Sequence, residues 1–106
     1  MKAYLLVHRR QITDAERLKK YADGIGETIA RYGGKPLVRA DTFETLEGTW
    51  HPGRSGDDSK PERITVIEFP DMAALKAWYE SKEYAPLKNV RQNAAICEIV
   101  AVVGNS

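Results

Sequence analysis

Apolar and polar residues follow two different periods along this chain. Short runs rich in Val, Ile, Leu and Tyr predict strands at residues 2–9, 36–46, 63–69 and 95–103. Between residues 18 and 32 the apolar residues lie three or four positions apart, which predicts a helix. Similar spacing predicts a second helix from residue 71 and a shorter helical piece over residues 83–91. An imperfect alternation at residues 40–42 suggests a bulge in the second strand.

Local signals indicate where the helices begin and end. Thr13-Asp14-Ala15-Glu16 fits a capping box, and Gly33-Gly34 favours a stop. Gly24 and Gly26 lie between these signals, and glycine costs about 1 kcal/mol relative to alanine inside a helix. The sequence therefore predicts a kink or break at these glycines. Asp71 is the expected N-cap of the second helix.

The order strand, helix, strand, strand, helix, strand predicts an α+β fold of the ferredoxin-like βαββαβ type. Its four-stranded antiparallel sheet would carry helices on one face. The last strand, Ala95–Val103, is apolar at positions of both parities apart from Glu98. A strand with one solvated face should alternate more cleanly. We therefore expect a second copy of the chain to cover the other face, giving a homodimer packed sheet against sheet.

Composition is that of one soluble domain, residues 1–106, with a long loop at residues 48–62 between strands two and three. The chain has 16 Lys and Arg against 15 Asp and Glu, so no broad basic surface is available for nucleic acid. The N-terminal apolar run of five residues is too short for a signal peptide or a membrane span. Cys97 is the single cysteine, which fits a reducing compartment. We expect a cytoplasmic protein that binds neither nucleic acid nor membrane.

Several segments occur in the order found in a known protein family. They are Tyr32-Gly33-Gly34, Leu37-Val38-Arg39, Leu46-Glu47-Gly48-Thr49-Trp50, Val66-Ile67-Glu68-Phe69-Pro70 and Ala77-Trp78-Tyr79-Glu80-Ser81-Lys82-Glu83-Tyr84, with Leu87 and Arg91. Over residues 3–103 the chain resembles the bacterial family called domain of unknown function 1330, of the dimeric alpha-beta barrel superfamily. The resemblance implies a ferredoxin-like subunit whose two copies form a barrel. Residues 53–61 depart from the short link that is usual in the family, which alters the surroundings of Trp50.

The resemblance implies no particular activity. The wider superfamily includes cofactor-free monooxygenases, haem-binding enzymes, lactone isomerases and ligand-sensing domains, and fold alone does not choose among them. Two histidines and one cysteine are too scattered for a zinc motif, and no cofactor motif is recognisable. We therefore expect neither a metal nor a cofactor.

Strand parity assigns one set of polar residues to a common sheet face. His8, Glu68 and Glu98 share this face if the parities coincide, and Arg39 is a possible addition. A histidine beside a carboxylate can act as a general base near neutral pH, so His8 is the candidate base and Glu68 its orienting carboxylate. Alternatively, these residues are solvated or ion-paired across the dimer.

The candidate substrate-binding residues are Arg39, Trp50, Tyr84 and Arg91. The arginines could clamp an anion by bidentate hydrogen bonding, or form salt bridges with nearby glutamates. The aromatic residues could line an apolar pocket, or pack in the core. Two functions stay open: a cofactor-independent enzyme acting on a small, anionic or partly apolar molecule in the barrel cavity, or a non-catalytic dimeric module that binds a small molecule or a partner.

Overall fold

The computed structural model describes residues 1–48 and 61–105. Within these residues the order of elements is β1 (Ala3–Ile12), α1 (Ala15–Arg31), β2 (Lys35–Ala40), β3 (Arg63–Phe69), α2 (Met72–Tyr79), α3 (Ala85–Gln92) and β4 (Ala95–Val103). The strands lie in the order β2-β3-β1-β4, and every neighbouring pair is antiparallel. The fold is α+β and ferredoxin-like, as the order of apolar segments predicts.

The ends of the strands agree with the sequence analysis to different degrees. β3 and β4 have the predicted bounds, but β2 ends at Ala40 instead of continuing to Leu46. The register of β2 shifts between Pro36 and Val38, so the bulge expected at residues 40–42 is misplaced. Proline has no N–H to donate to a sheet, which is the physical reason for an irregularity at that point.

The first helix is continuous from Ala15 to Arg31, so a break at the two glycines is wrong. A Cβ atom at Gly24 would lie 3.3 Å from both methyl groups of Leu87 in α3. Glycine at this position therefore allows α1 and α3 to pack closely, and this packing offsets the low helix propensity of glycine.

An aspartate caps each of the first two helices. Asp14 accepts a hydrogen bond from the N–H of Arg17 at 3.2 Å, so α1 begins one residue later than a cap at Thr13 would place it. Asp71 accepts a hydrogen bond from the N–H of Ala74 at 2.7 Å, which confirms it as the N-cap of α2. Each cap satisfies a backbone N–H that has no partner within its helix.

Trp78 joins the helices to the sheet. Its ring centroid lies 5.5 Å from that of Phe69 in β3 and 4.1 Å from that of Tyr84. Its indole N–H donates to Oγ1 of Thr28 in α1 at 3.0 Å, and the Thr28 hydroxyl donates to the carbonyl of Ile25 at 2.8 Å. The polar atoms of this buried cluster are therefore satisfied, which avoids the penalty for burying an unpaired donor.

The opposite face of the sheet has an apolar centre, and within the described ranges no helix packs on it. Leu6 and Val66 lie at its centre, where the register places them side by side. Val100 is 50% exposed and Ile96 is 44% exposed. We call this surface the open face.

Gly34 lies where α1 meets the sheet, and a side chain there would collide with the core. A Cβ atom would lie 2.5 Å from Cγ2 of Ile29 and 2.8 Å from the ring of Phe69. Gly34→Ala is therefore expected to lower the free energy of unfolding by about 1–3 kcal/mol. Gly26→Ala is the matched control, because its Cβ meets nothing within 4 Å in mid-helix, and it should stabilise by about 1 kcal/mol. Urea denaturation of both variants tests this, and an undiminished Gly34→Ala stability would contradict the packing.

Candidate functional site

A cavity of about 300 Å³ lies between the sheet and α1. The closest backbone contacts of α1 are with α3 and not with the sheet, which leaves space above the middle strands. The sheet contributes Leu5, Val7, Thr65, Ile67 and Ile99, and the helix contributes Leu18, Tyr21, Ala22, Ile25 and Ile29. These mainly apolar walls suit the ring or hydrocarbon part of a small organic molecule.

Basic side chains surround this apolar space. They are Arg9, Lys19, Arg39, Arg63 and Arg91. Among the described lining residues there is no Asp, Glu or His. The cavity therefore combines apolar walls with positive charge, which is complementary to a partly apolar anion.

Two of the arginines have carboxylate partners. Arg63 donates from Nε to Oδ1 of Asp41 at 2.6 Å and from Nη2 to Oδ2 at 3.1 Å. This bidentate hydrogen bonding lowers the pKa of Asp41 and keeps the pair charged near neutral pH. Arg9 donates from Nε to Oε1 of Glu62 at 3.0 Å. These two arginines therefore shape the cavity but add little net charge to it.

Arg91 differs from them because it is buried and only 7% exposed. Its Nε donates to the hydroxyl of Tyr84 at 3.3 Å, and its positive charge acts on the nearby thiol of Cys97, whose pKa it tends to lower. Over residues 1–48 and 61–105 no carboxylate forms an ion pair with it. A guanidinium stays protonated, and burying it without a counter-ion is unfavourable. Arg91 is therefore a cation ready to meet an anion in the cavity.

The hydroxyl of Tyr84 links Arg91 to α1. It lies 3.0 Å from the hydroxyl of Tyr21, and burial raises the pKa of Tyr21, so that residue stays protonated at neutral pH. The Tyr84 ring stacks on Trp78, and its backbone N–H donates to Oγ of Ser81 at 3.1 Å. The guanidinium and two hydroxyls thus form a rigid group of donors at one end of the cavity, an arrangement that stabilises an oxyanion.

Three of the predicted substrate-binding residues line this cavity, namely Arg39, Tyr84 and Arg91. Tyr84 and Arg91 are in direct contact, whereas Arg39 approaches from the far strand, β2. Trp50 lies outside the described residues. A role in binding stays a prediction for all four.

The sheet register separates the two residues predicted to be catalytic. His8 lies opposite Glu98 in β4, as the shared parity suggested. Glu68 lies opposite Tyr4, about 13 Å along β1 from His8, and accepts a hydrogen bond from Nζ of Lys2 at 2.8 Å. The expected approach of Glu68 to His8 is therefore wrong. Shared parity fixes the face of a sheet, but only the register fixes neighbours.

His8 and Glu98 lie on the open face, because side chains alternate along a strand and Val7 faces the cavity. Glu98 also accepts a hydrogen bond through Oε2 from Nη1 of Arg10 at 3.4 Å. Arg39, expected with this set, faces the cavity instead. A catalytic role for His8 stays a prediction, and it concerns the space between the two sheets of the expected homodimer. His8 does not face the cavity between the sheet and α1.

The sequence analysis missed the cavity itself and three of its polar residues, Tyr21, Arg9 and Arg63. A usable signal was present in the strands. Arg9 has the same parity as Leu5 and Val7, and Arg63 has the same parity as Thr65 and the buried Ile67. Long cations at positions of core parity in two strands indicate a polar site beneath the helices.

Residues 2–105 match the family described as Domain of unknown function (DUF1330), and the chain belongs to that family. A comparison with curated proteins gives no significant match. In the described ranges no helix is long and apolar enough to cross a membrane. No group of three or more His, Cys, Asp or Glu in the same part of the chain is placed to hold a metal ion.

Solved structures with the same fold differ widely in sequence. A protein of unknown function from Rhodopseudomonas palustris has a TM-score of 0.77 and 18% identity, with 99% of this chain and 83% of that chain covered. A dimeric ferredoxin-like protein of unknown function from Jannaschia sp. has a TM-score of 0.68 and 12% identity over 98% and 100% of the two chains. SnoaB, a cofactor-independent oxygenase from Streptomyces nogalater, has a TM-score of 0.65 and 8% identity over 99% and 94%. At these identities the likeness concerns the fold.

Cys97 gives a direct test of the electrostatics at the buried end of the cavity. Burial raises the pKa of its thiol, although Arg91 opposes the shift. Because the thiolate is the reactive form, a thiol reagent should label the folded protein at least about tenfold more slowly than the urea-unfolded chain near neutral pH. As the pH is increased, the labelling rate of the folded protein should still be rising at pH values where the rate of an ordinary thiol no longer changes. Cys97 is the single cysteine, so Cys97→Ser is a complete blank, and equal rates for folded and unfolded protein would contradict the prediction.

Proposed function

We propose that the protein binds a small, partly apolar organic anion in the cavity between the sheet and α1. The observation that carries this proposal is Arg91, a buried guanidinium whose hydrogen-bond partner among the described residues is the neutral hydroxyl of Tyr84. A carboxylate, phenolate or enolate would supply the missing negative charge through charge-assisted hydrogen bonds. The apolar floor and roof would contact the ring or chain of the same molecule.

The same donors favour the ionised form of a weakly acidic ligand. An enol or phenol placed against Arg91 and Tyr84 would have its pKa lowered, because its anion is stabilised where water is largely excluded. A cofactor-independent enzyme could begin from such an anion, and the shared fold with the oxygenase SnoaB supports this extension by analogy. The substrate would need to be acidic enough to ionise on binding, since no carboxylate or imidazole is found among the described lining residues.

Binding without turnover needs nothing beyond this cavity. The same lack of a carboxylate or imidazole in the described lining favours this alternative over acid–base catalysis by a side chain. Both functions depend on anion binding at Arg91, so that step is tested first.

We further propose that two copies of the chain pair through the open face. Its apolar side chains are contiguous across three strands, from Val66 through Leu6 to Val100. Burying such a patch against a second copy is favourable at about 25 cal/mol per Å² of apolar surface. The similar protein from Jannaschia sp. is described as dimeric, which supports the proposal.

Arg91→Gln should weaken the binding of 2-naphthoate by about 10- to 100-fold, the effect of losing a hydrogen bond to a charged group. Glutamine keeps a polar group near the position of Nε but is shorter than arginine and carries no charge. Isothermal titration calorimetry measures the affinity, and thermal unfolding confirms that each variant is folded. Arg31→Gln is the matched control, because Arg31 pairs with Glu27 on the exposed surface of α1 and should not change the affinity.

The neutral amide of the same ring, 2-naphthamide, separates anion recognition from apolar contact. It should bind the unmodified protein more weakly than 2-naphthoate does and respond little to Arg91→Gln. Equal affinities for acid and amide, or no binding of the acid, would refute the proposed function.

The proposed dimer is tested by placing a charge on one face of β4 or on the other. Val100→Lys puts an ammonium on the open face and should convert a dimer into a monomer, because a buried unpaired charge strongly opposes association. Val103→Lys is the control, since Val103 is 53% exposed and has the opposite facing to Val100. Light scattering after size exclusion gives the masses. A monomeric unmodified protein at micromolar concentration, or a Val100→Lys variant that stays dimeric, would contradict the proposal.

A further inference from the structure

The geometry points to a ligand with two acidic groups, one at each end of an apolar body. This inference rests on the proposed function, since Arg91 holds the first acidic group, and it assigns the second acidic group to Arg39. The ligand class is thereby narrowed from an organic anion to an elongated dianion such as an aromatic dicarboxylate or a hydroxy acid that ionises twice.

The two arginines lie over opposite edges of the sheet. Arg39 in β2 is opposite Thr65 in β3, which is opposite Val7 in β1, which in turn is opposite Ile99 in β4. All four residues line the cavity, so this row forms a floor that crosses the whole sheet. Three strand spacings of about 4.8 Å separate the outer backbones by about 14 Å.

Arg91 marks the other end of this floor. It belongs to α3, which packs on β4, and it lines the cavity together with Cys97 of that strand. Thr65 and Val7 line the floor between these two edges, and Ile25 of α1 also lines the cavity. The cavity thus has, at each edge of the sheet, a cation without an ion-pair partner among the described residues. Between the two lie apolar residues and the ion-paired Arg9 and Arg63.

Ion pairing selects these two arginines from the four that line the cavity among residues 1–48 and 61–105. Arg63 and Arg9 are held by Asp41 and Glu62, but no described residue forms an ion pair with Arg39. Arg39 is also exposed, so it lies at the mouth, whereas Arg91 is buried at the inner end. A ligand would therefore enter with one acidic group leading and leave the second at the mouth.

Lys19 is the remaining cation of the lining, and it is exposed on α1. An ammonium offers a compact charge without the fork geometry that matches a carboxylate. We therefore assign the second acidic group to Arg39, and Lys19→Gln serves as an internal comparison.

The test compares acids that share a ring system but differ in the number of charges. The first pair of probes is 2-naphthoate and 2,6-naphthalenedicarboxylate, and the second, shorter pair is benzoate and terephthalate. In at least one pair, calorimetry on the unmodified protein should show the diacid binding about tenfold or more tightly, the effect of one added charge-assisted hydrogen bond. Arg39→Gln should remove this preference and leave monoacid binding within about twofold, whereas Arg91→Gln should weaken both acids. Arg31→Gln, outside the cavity, should change neither affinity.

The outcomes separate this inference from the proposed function. If each monoacid binds as tightly as its diacid, or if Arg39→Gln weakens both equally, the dianion inference is overturned while Arg91-dependent binding of 2-naphthoate still supports the proposed function. If Lys19→Gln removes the preference and Arg39→Gln does not, the assignment to Arg39 is overturned. If 2-naphthoate fails to bind, the proposed function itself is overturned, and the dianion inference with it.

Discussion

The position of Trp78 is the constraint on which the rest of the structure depends. Its ring contacts Phe69 of the sheet and Tyr84 at the start of α3, and its indole N–H donates to Thr28 of α1. A single side chain thus sets the spacing of helices and sheet at one end of the interior. Large rings fill that end, and the space beyond, towards Arg9, keeps its volume because no comparable side chain occupies it. The cavity exists because the core is packed unevenly, and Tyr84 belongs to both regions.

At the buried end of the cavity, the feature that would favour ligand binding is unfavourable for the stability of the fold. A buried arginine without a carboxylate partner is unfavourable, and Arg91, which has no such partner among the described residues, is held by the neutral hydroxyl of Tyr84 beside the thiol of Cys97. Those neutral groups orient the guanidinium without neutralising it. At the cavity mouth the opposite arrangement occurs, since Asp41 neutralises Arg63 and fixes it in place. The difference shows that a cation can serve as a framework element or as an unsatisfied site, depending on its partner.

The spacing of apolar residues predicted the helices and strands because that spacing depends on the local conformation of the chain. The bounds of β3 and β4 follow from runs rich in β-branched and apolar residues, and the Asp71 cap follows from local hydrogen bonding. Tyr84 and Arg91 were candidates for binding, but the sequence does not reveal that they touch at a cavity, since the hydroxyl of Tyr84 is also held by Tyr21 of α1, which is distant in sequence. The pairing of His8 with Glu68 failed for the same reason, because register is a property of two strands. The continuity of α1 through Gly24 likewise depends on Leu87, which is distant in sequence.

The alternation of β1 has a consequence for how such a protein can diverge. Leu5, Val7 and Arg9 face the cavity, while Leu6 and His8, their immediate neighbours in the chain, face the opposite side of the sheet. Odd and even positions of this strand therefore meet different packing requirements. Replacements at one set can reshape the interior while the other set preserves the outer surface. A lineage can exchange one specialisation for another by changing alternate residues, which is compatible with a fold that is retained at 8–18% identity.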